Sequence, residues 1–589
     1  MIAILQSTPI HAAAKCTLGK LAELPITMVG LKPTIGAKIN GQQAQFVLDS
    51  GAWYSMMSSA TAAQYSLRES PAPFGLRIVG IGGYTNTAIA TVKDFTFAGM
   101  PIHNVEFLVG GSEVGGEAIG LIGQNFLQRW DVEYDLAKGV VRLLKADGDC
   151  KHAGLAYWLA PDQSMSLMNI DYTTPRKPHA TGAAYINGTK ITAMFDSGAS
   201  TSVLSMKAAA RAGVKPDTPG VVDAGYFIGI GRGGVKTYLA PFASFKIGDN
   251  EEIKNTRLRI ADIDFDEGEM LVGADFFLSH HLLISNSQHR VYFTYNGGPV
   301  FNLSQSAASA AAAAAADASN TTQTQAEDGD LDAAALARRA NAFAGRRDFE
   351  HAIADYTRAH DLDPNRAEYV YERGKAYWET EKPVLAMTDF DRALELDADY
   401  LPARIWRAQL RLANKDSPGA VADLDAADLI APKQADDRFT MARLYKGADQ
   451  LARALVQYDS WITNHPDDSK MAQALSGRCW LRALQGQDLA AALGDCNAAL
   501  RRSAKSSPLA AAVLDGRGLV RLRLGDYDKS IADYDESLQV AAKSAWALYG
   551  RGVAKIRKHK IAAGEADLAQ AKSLSPTVAD EFTRRGIAP

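Results

Sequence analysis
The chain has 589 residues, 47% of them hydrophobic and 22% charged, a soluble-globular balance over a length that calls for three or four domains. Its 67 acidic residues slightly outnumber 63 basic ones, for a net charge of −4, so electrostatics offer no case for nucleic-acid binding. No run approaches the roughly 18 apolar residues that span a bilayer, and the His and Cys spacings suggest no metal site.

Residues 1–20 read as an N-terminal tail or the remnant of a secretory signal. Met1-Ile2-Ala3-Ile4-Leu5 lacks a basic start, but Ser7-Thr8-Pro9-Ile10-His11-Ala12-Ala13-Ala14 has the small residues of a cleavage region. Lys15 before Cys16 excludes a lipoprotein signal.

Residues 21–150 form a first β unit. Asn40-Gly41 between apolar runs predicts a tight hairpin. Its second strand ends in Phe46-Val47-Leu48-Asp49 and turns through Ser50-Gly51-Ala52. Gly80-Ile81-Gly82-Gly83 reads as the tip of a mobile hairpin, and Leu121-Ile122-Gly123 as a strand passing behind the turn where a Cβ would not fit.

Residues 160–300 repeat this order. Asn187-Gly188 and Asp196-Ser197-Gly198-Ala199 follow the first copy at an offset of 147, and Gly229-Ile230-Gly231 at 149. Leu271-Val272-Gly273 follows at 150. A drift that small marks one duplicated unit. The second hairpin tip is longer and charged, Gly229-Ile230-Gly231-Arg232-Gly233-Gly234, so the cleft is expected to be asymmetric. His280-His281 reads as a surface pair.

Residues 301–330 are an Ala/Ser/Thr/Gln-rich linker. From 331 to 589 the period is 34: Ala340, Gly374, Ala408 and Ala442 mark one helix, and Ala352, Ala386, Ala420 and Ala454 the next. Pro364, Pro432 and Pro466 stop the second helix. About seven such units fit. Arg338, Arg373, Arg407 and Arg443 recur beside the small positions; they read as solvated faces, or as a lining for acidic chain ends.

At these residues both halves resemble the retropepsin-like aspartic proteases, whose half-site is apolar-apolar-Asp-(Ser/Thr)-Gly-Ala, a glycine-rich flap, then apolar-apolar-Gly. The C-terminal part resembles tetratricopeptide repeats (TPRs). The resemblance implies a multidomain chain: tandem all-β retropepsin-like halves forming an internal pseudo-dimer, then an all-α TPR superhelix. It implies that Asp49 and Asp196 are the catalytic pair, supported by Ser50, Gly51, Ser197 and Gly198. Substrate would lie under flaps at Gly80–Gly83 and Gly229–Gly231, with Gly123 and Gly273 behind the site. No cofactor is implied. The expected function is a monomeric aspartic endopeptidase acting on a peptide or protein through a shared water, with the TPR groove recruiting substrate or a protein partner. The alternative is a non-catalytic peptide-binding scaffold of the cell envelope. No Gly-x-Ser-x-Gly elbow or phosphate loop competes.

Four cysteines fall into two candidate disulfides, Cys16 with Cys150 and Cys479 with Cys496, against the alternative of four separate thiols. Paired cysteines favour the periplasm or cell envelope over the cytoplasm.

Overall fold
A computed structural model describes residues 16–74, 76, 78–80, 83–85, 87–111, 118–159, 163–171, 173–174, 177–228, 234–301 and 331–589. The N-terminal tail before residue 16, the flap tips Ile81, Gly82, Gly229, Ile230 and Gly231, and the linker from 302 lie outside the described residues.

Each half is built around a two-residue Asn-Gly turn whose residues take the left-handed conformation: φ is 49° and 85° at Asn40 and Gly41, and 47° and 78° at Asn187 and Gly188. Such turns match the twist of antiparallel strands. They join Lys32–Ile39 to Gln42–Leu48, and Thr181–Ile186 to Thr189–Phe195. In the first half a later strand, Ala118–Ile122, then inserts parallel to Gln42–Leu48 and antiparallel to Met56–Met57. In the second, Met270–Val272 does the same beside Thr189–Phe195 and Val203–Ser205. The sheets curl until distant strands meet, Lys38 pairing with Thr96 and Ala184 with Ile247. Aromatic clusters fill them: Phe46, Phe95 and Phe107 in one, Phe195, Phe276 and Phe277 in the other.

A third sheet joins the halves. Its six strands run Thr17–Pro25, Val140–Asp147, Asp131–Asp135, His280–Ser285, Arg290–Tyr295 and Ser166–Asn169. The central pairing crosses the duplication, with Val132 opposite Ile284 and Tyr134 opposite Leu282. Here the expectation of a surface His280-His281 pair is corrected. His280 is fully buried and stacks 3.9 Å from the Phe276 ring, while His281 is sandwiched 4.0 Å from Trp158. The His281 Nε2 lies 2.8 Å from buried Glu133 Oε1, which also accepts from Arg142 Nη1 at 2.6 Å. Alternation in the strand turns both rings into protein because this sheet is covered on both faces.

Cys16 and Cys150 form a disulfide that ties the ends of the outer pair of strands, and Cys479 and Cys496 form a second.

The C-terminal part stacks seven helix pairs between Ala333 and Leu574, among the described residues, and ends on the short helix Val578–Arg584. The small residues lie at the helix crossings. A Cβ on Gly374 would come within 2.8 Å of the Phe390 ring, and one on Gly518 within 2.9 Å of Tyr534. In the fifth pair, Met471–Gln485 and Leu489–Arg502, the same small and large positions are Cys479 and Cys496, so the disulfide replaces a glycine–aromatic contact.

Of the recurrent arginines, Arg443 is exposed as a solvated position would be, but Arg373 and Arg407 need correcting. Arg373 donates Nε and Nη2 to Asp389, both at 2.8 Å, and Arg407 grips Asp423 in the same forked geometry. Arg339–Asp355, Arg478–Asp495, Arg517–Asp533 and Arg551–Asp567 repeat it. These pairs cross-link the two helices of a repeat on a largely buried face; they are neither solvated nor open to a ligand. The fourth pair departs, with Met441 and Gln457 in the two slots and Arg438 reaching Gln457 at 2.7 Å instead. Arg338 packs against the protease half, where a Cβ on Gly139 would sit 2.6 Å from its own Cβ.

Removing one partner of a buried forked pair strands the other charge, at a cost of about 3–5 kcal/mol. Asp389→Ala, which leaves Arg373 only the Thr357 hydroxyl, is therefore expected to lower the thermal midpoint of the helical circular-dichroism signal by several degrees. Glu395→Ala, which breaks an exposed pair with Arg392, is expected to leave it within about a degree, since such pairs contribute under about 1 kcal/mol.

Candidate active site
The strands Gln42–Leu48 and Thr189–Phe195 both end at the boundary between the halves, and each delivers an aspartate there. The two turns that follow interlock. The Ser50 backbone N–H donates to Ser197 Oγ at 3.0 Å, and the Ser197 N–H to Ser50 Oγ at 2.9 Å. Each hydroxyl passes its own proton across, Ser50 to the Phe195 carbonyl at 3.0 Å and Ser197 to the Leu48 carbonyl at 2.7 Å. Both hydroxyls are buried, and donors and acceptors are matched four for four.

This interlock brings the carboxylates together. A Cβ built on Gly51 would lie 2.1 Å from the Asp196 Cγ, and one on Gly198 would lie 2.2 Å from the Asp49 Cγ. Each glycine thus makes room for the aspartate of the opposite half. The carboxylates are oriented by backbone: Asp49 Oδ1 accepts from the Gly51 N–H at 2.9 Å, and Asp196 Oδ1 from Gly198 and Ala199 at 3.0 and 2.9 Å. Burial pushes the Asp49 carboxyl well above the usual range, and the neighbouring Asp196 charge adds to it. Burial also raises Asp196, against the pull of the Ala199 N–H. Two carboxylates this close cannot both ionise readily, so the pair retains a proton where isolated carboxyls have lost theirs.

Gly123 and Gly273 lie tight behind the turns. A Cβ on Gly123 would meet the Ala52 carbonyl at 2.7 Å, and one on Gly273 the Thr201 carbonyl carbon at 2.6 Å. The flap glycines Gly80 and Gly83 face each other across a short antiparallel pair, Ile78–Gly80 with Gly83–Thr85. In the second half, Val222–Ile228 pairs with Gly234–Ile247 up to Ile228 and Gly234.

Several supporting residues escape the motif reading. Ser55 and Ser202 hold the strands behind the turns: Ser55 Oγ donates to Asn125 Oδ1 at 2.8 Å and Ser202 Oγ to Asp275 Oδ1 at 2.7 Å. Each hydroxyl also accepts from Gly123 or Gly273 N–H, at 3.0 and 2.9 Å. Both serines stand six residues past their aspartate, at the offset of 147, so extending the alignment by a few positions would have found them. Tyr134, fully buried on the shared sheet, has its hydroxyl pushed up by burial and sits within reach of Ser50 and Ser197. It has no counterpart in the motif. Among the described residues no cluster of His, Cys, Asp and Glu has the arrangement of a metal site.

The family comparisons agree with this geometry. Residues 35–126 match the family described as "Aspartyl protease", residues 183–279 the "gag-polyprotein putative aspartyl protease" family, and residues 367–400 the tetratricopeptide repeat. The chain carries two retropepsin-like aspartyl protease domains followed by a TPR region. The TPR region is similar to serine/threonine-protein phosphatase 5 from Homo sapiens, 32% identical over 20% of this chain and 24% of that protein. Hsc70-interacting protein 1 from Drosophila melanogaster is 35% identical over 16% of this chain and 25% of its own length. The chain thus spans about a quarter of the curated relatives it matches. Among solved structures, a tetratricopeptide repeat protein from Parabacteroides merdae aligns over 43% of this chain and 92% of its own, with 17% identity and a TM-score of 0.28. The Cut9–Hcn1 assembly of the APC/C aligns over 46% of this chain and 51% of its own, at 16% identity and a TM-score of 0.32.

Ser197→Ala removes a donor and an acceptor from the interlock and leaves the Ser50 N–H buried without a partner, a loss of about 2–4 kcal/mol. The expected result is a lower denaturant midpoint for the β-sheet signal. A Ser50→Ala/Ser197→Ala double mutant is expected to lose less than the sum of the two single changes, because both act on one network.

Proposed function
We propose that the chain is an aspartic endopeptidase whose dyad, Asp49 and Asp196, is assembled within one molecule. The reading rests on the convergence of the two carboxylates across the interlocked turns, each packed on the glycine of the opposite half. One carboxylate, ionised, takes a proton from a water held between them as that water attacks the scissile carbonyl. The other, protonated, donates to the carbonyl oxygen; proton return to the amine then releases it. The dyad titrates as a unit. The hairpins ending at Gly80–Gly83 and Ile228–Gly234 frame a cleft for an extended peptide, which would add as a strand.

The TPR region supplies protein binding, and its proposed role is to recruit the substrate or a partner. A relative named for interacting with Hsc70, similar to this chain over part of its length, supports that role. Both disulfides support residence in an oxidising compartment, and we assign the protein to the periplasm or cell envelope.

Asp49→Asn and Asp196→Asn are each expected to abolish cleavage of a diverse peptide library by the full chain while leaving its circular dichroism unchanged. Turnover in either would sink the dyad; peptide binding without cleavage in the wild type would favour a binding scaffold. The pH dependence follows from the raised carboxyls. Cleavage requires one proton on the pair, so activity is lost as pH rises through its upper apparent pKa, above the ordinary carboxylate range, and again as pH falls through the lower one. An alkaline limb within the ordinary range of an isolated carboxyl would contradict the raised pair.

A further inference from the structure
The TPR region does not simply trail behind the protease halves. Its first helix, Ala333–Gly345, lies against them: Ala342 joins their apolar core, and a Cβ on Gly345 would meet the Gly30 carbonyl at 2.8 Å. Between this helix, its neighbour Ala367–Glu379 and the barrels is a cavity of about 410 Å³.

The cavity's position ties it to the dyad. On the second half it is lined by Thr201, five residues past Asp196 and packed on Gly273. On the first half it is lined by Leu31, next to Lys32. Lys32 begins the strand whose Thr34 pairs with Val47, two residues before Asp49, and the Asp49 charge acts on it. Both walls of the space are thus continuous in sequence with the segments that carry the catalytic turns, and the TPR helices close its other side.

Charge accounting gives the cavity a sign. On the TPR wall, Lys375 is matched by Glu372 at 2.7 Å and Arg347 by Glu379 at 3.6 Å. Arg259, on the barrel wall, is not matched. Its Nη1 donates to the Ala224 carbonyl at 3.0 Å and to Thr237 Oγ1 at 2.6 Å, both on the second flap's strands. Its Nε is buried with no hydrogen-bond partner, and among the described residues no carboxylate lies within ion-pair distance; Asp275 acts on it only from farther away. A half-buried guanidinium that lines the space and has no carboxylate partner among the described residues suits an incoming carboxylate.

The geometry points to an extended substrate subsite, built jointly by the second protease half and the first two TPR helix pairs, in which Arg259 receives an acidic side chain of the substrate. Its occupant is the substrate's own chain, a few residues to one side of the scissile bond. This deepens the proposed peptidase reading and rests on it. The array would then act on cleavage preference directly, as a wall of the cleft, as well as by recruitment. Arg259 touches substrate here far from the reacting atoms and is a specificity residue.

The test is an acidic scan. Asp is moved position by position through a peptide that the full-length protein cleaves, with Asn as the uncharged reference. One position, on one side only, is expected to favour Asp about tenfold or more in kcat/KM, the effect of one charge-assisted hydrogen-bonded pair. Arg259→Gln is expected to bring the Asp-to-Asn ratio of kcat/KM at that position to about one, and Arg259→Lys to keep part of it, each ratio being taken within the same variant. Lys375→Glu, on the TPR wall, is expected to weaken it. A flat scan, or a preference unaltered in Arg259→Gln, would overturn the subsite while leaving the peptidase standing. If the wild type cleaves nothing, the peptidase reading fails, and fluorescence anisotropy of labelled Asp and Asn peptides decides the cavity separately. Equal binding of both peptides by the wild type, or an Asp preference in binding that survives in Arg259→Gln, would overturn it.

Discussion
The whole candidate site is built on two serines that exchange hydrogen bonds between the duplicated halves. Ser50 and Ser197 each accept from the other's backbone and donate to the strand that carries the other's aspartate. Both hydroxyls donate and accept within the network, which makes it a rigid reference for the carboxylates. It also explains the glycines. With the turns locked this close, Gly51 and Gly198 occupy space that a Cβ would take from the opposing Asp. The raised carboxyls follow from the same closeness and burial. The shared six-stranded sheet, with Tyr134 beneath the serines, holds the halves in the register the interlock needs.

The duplicated motif made the turns, the Asn-Gly hairpins and the paired glycines legible, because each is a local requirement written in residue type. Gly123 and Gly273 could be placed behind the turns for the same reason. What the sequence did not disclose are pairings between the halves. Strand Asp131–Asp135 reads as half-polar, with Glu133 and Asp135 alternating with Val132 and Tyr134, and only its partner His280–Ser285 explains why the acids are buried. His280 and His281 looked solvent-facing because nothing local to them announces Trp158, Phe276 or Glu133. Arg373 and Arg407 stand one period apart, but their partners lie sixteen residues on, in the second helix of the repeat. A helix-period reading sees each face separately and misses the fork between them.

The TPR array illustrates how one packing rule tolerates different chemistry. Gly374 under Phe390, Gly518 under Tyr534 and the Cys479–Cys496 disulfide occupy one structural position, filled in turn by an aromatic ring or a covalent bond. Such arrays transmit stability mainly between neighbours. Anchoring the first helix on the barrels therefore fixes the nearest repeats firmly relative to the cleft, and the cavity beside Arg259 lies within that fixed zone.

The central claim is that one chain supplies both aspartates of one site. Mixing purified Asp49→Asn and Asp196→Asn proteins, each inactive alone, tests it most directly. With wild type cleaving in parallel, an internal dyad predicts no recovery at any concentration of the mixture, since every molecule carries one asparagine in its only site. Cleavage that appears on mixing and grows with concentration would show that halves from different molecules pair, and would contradict the account.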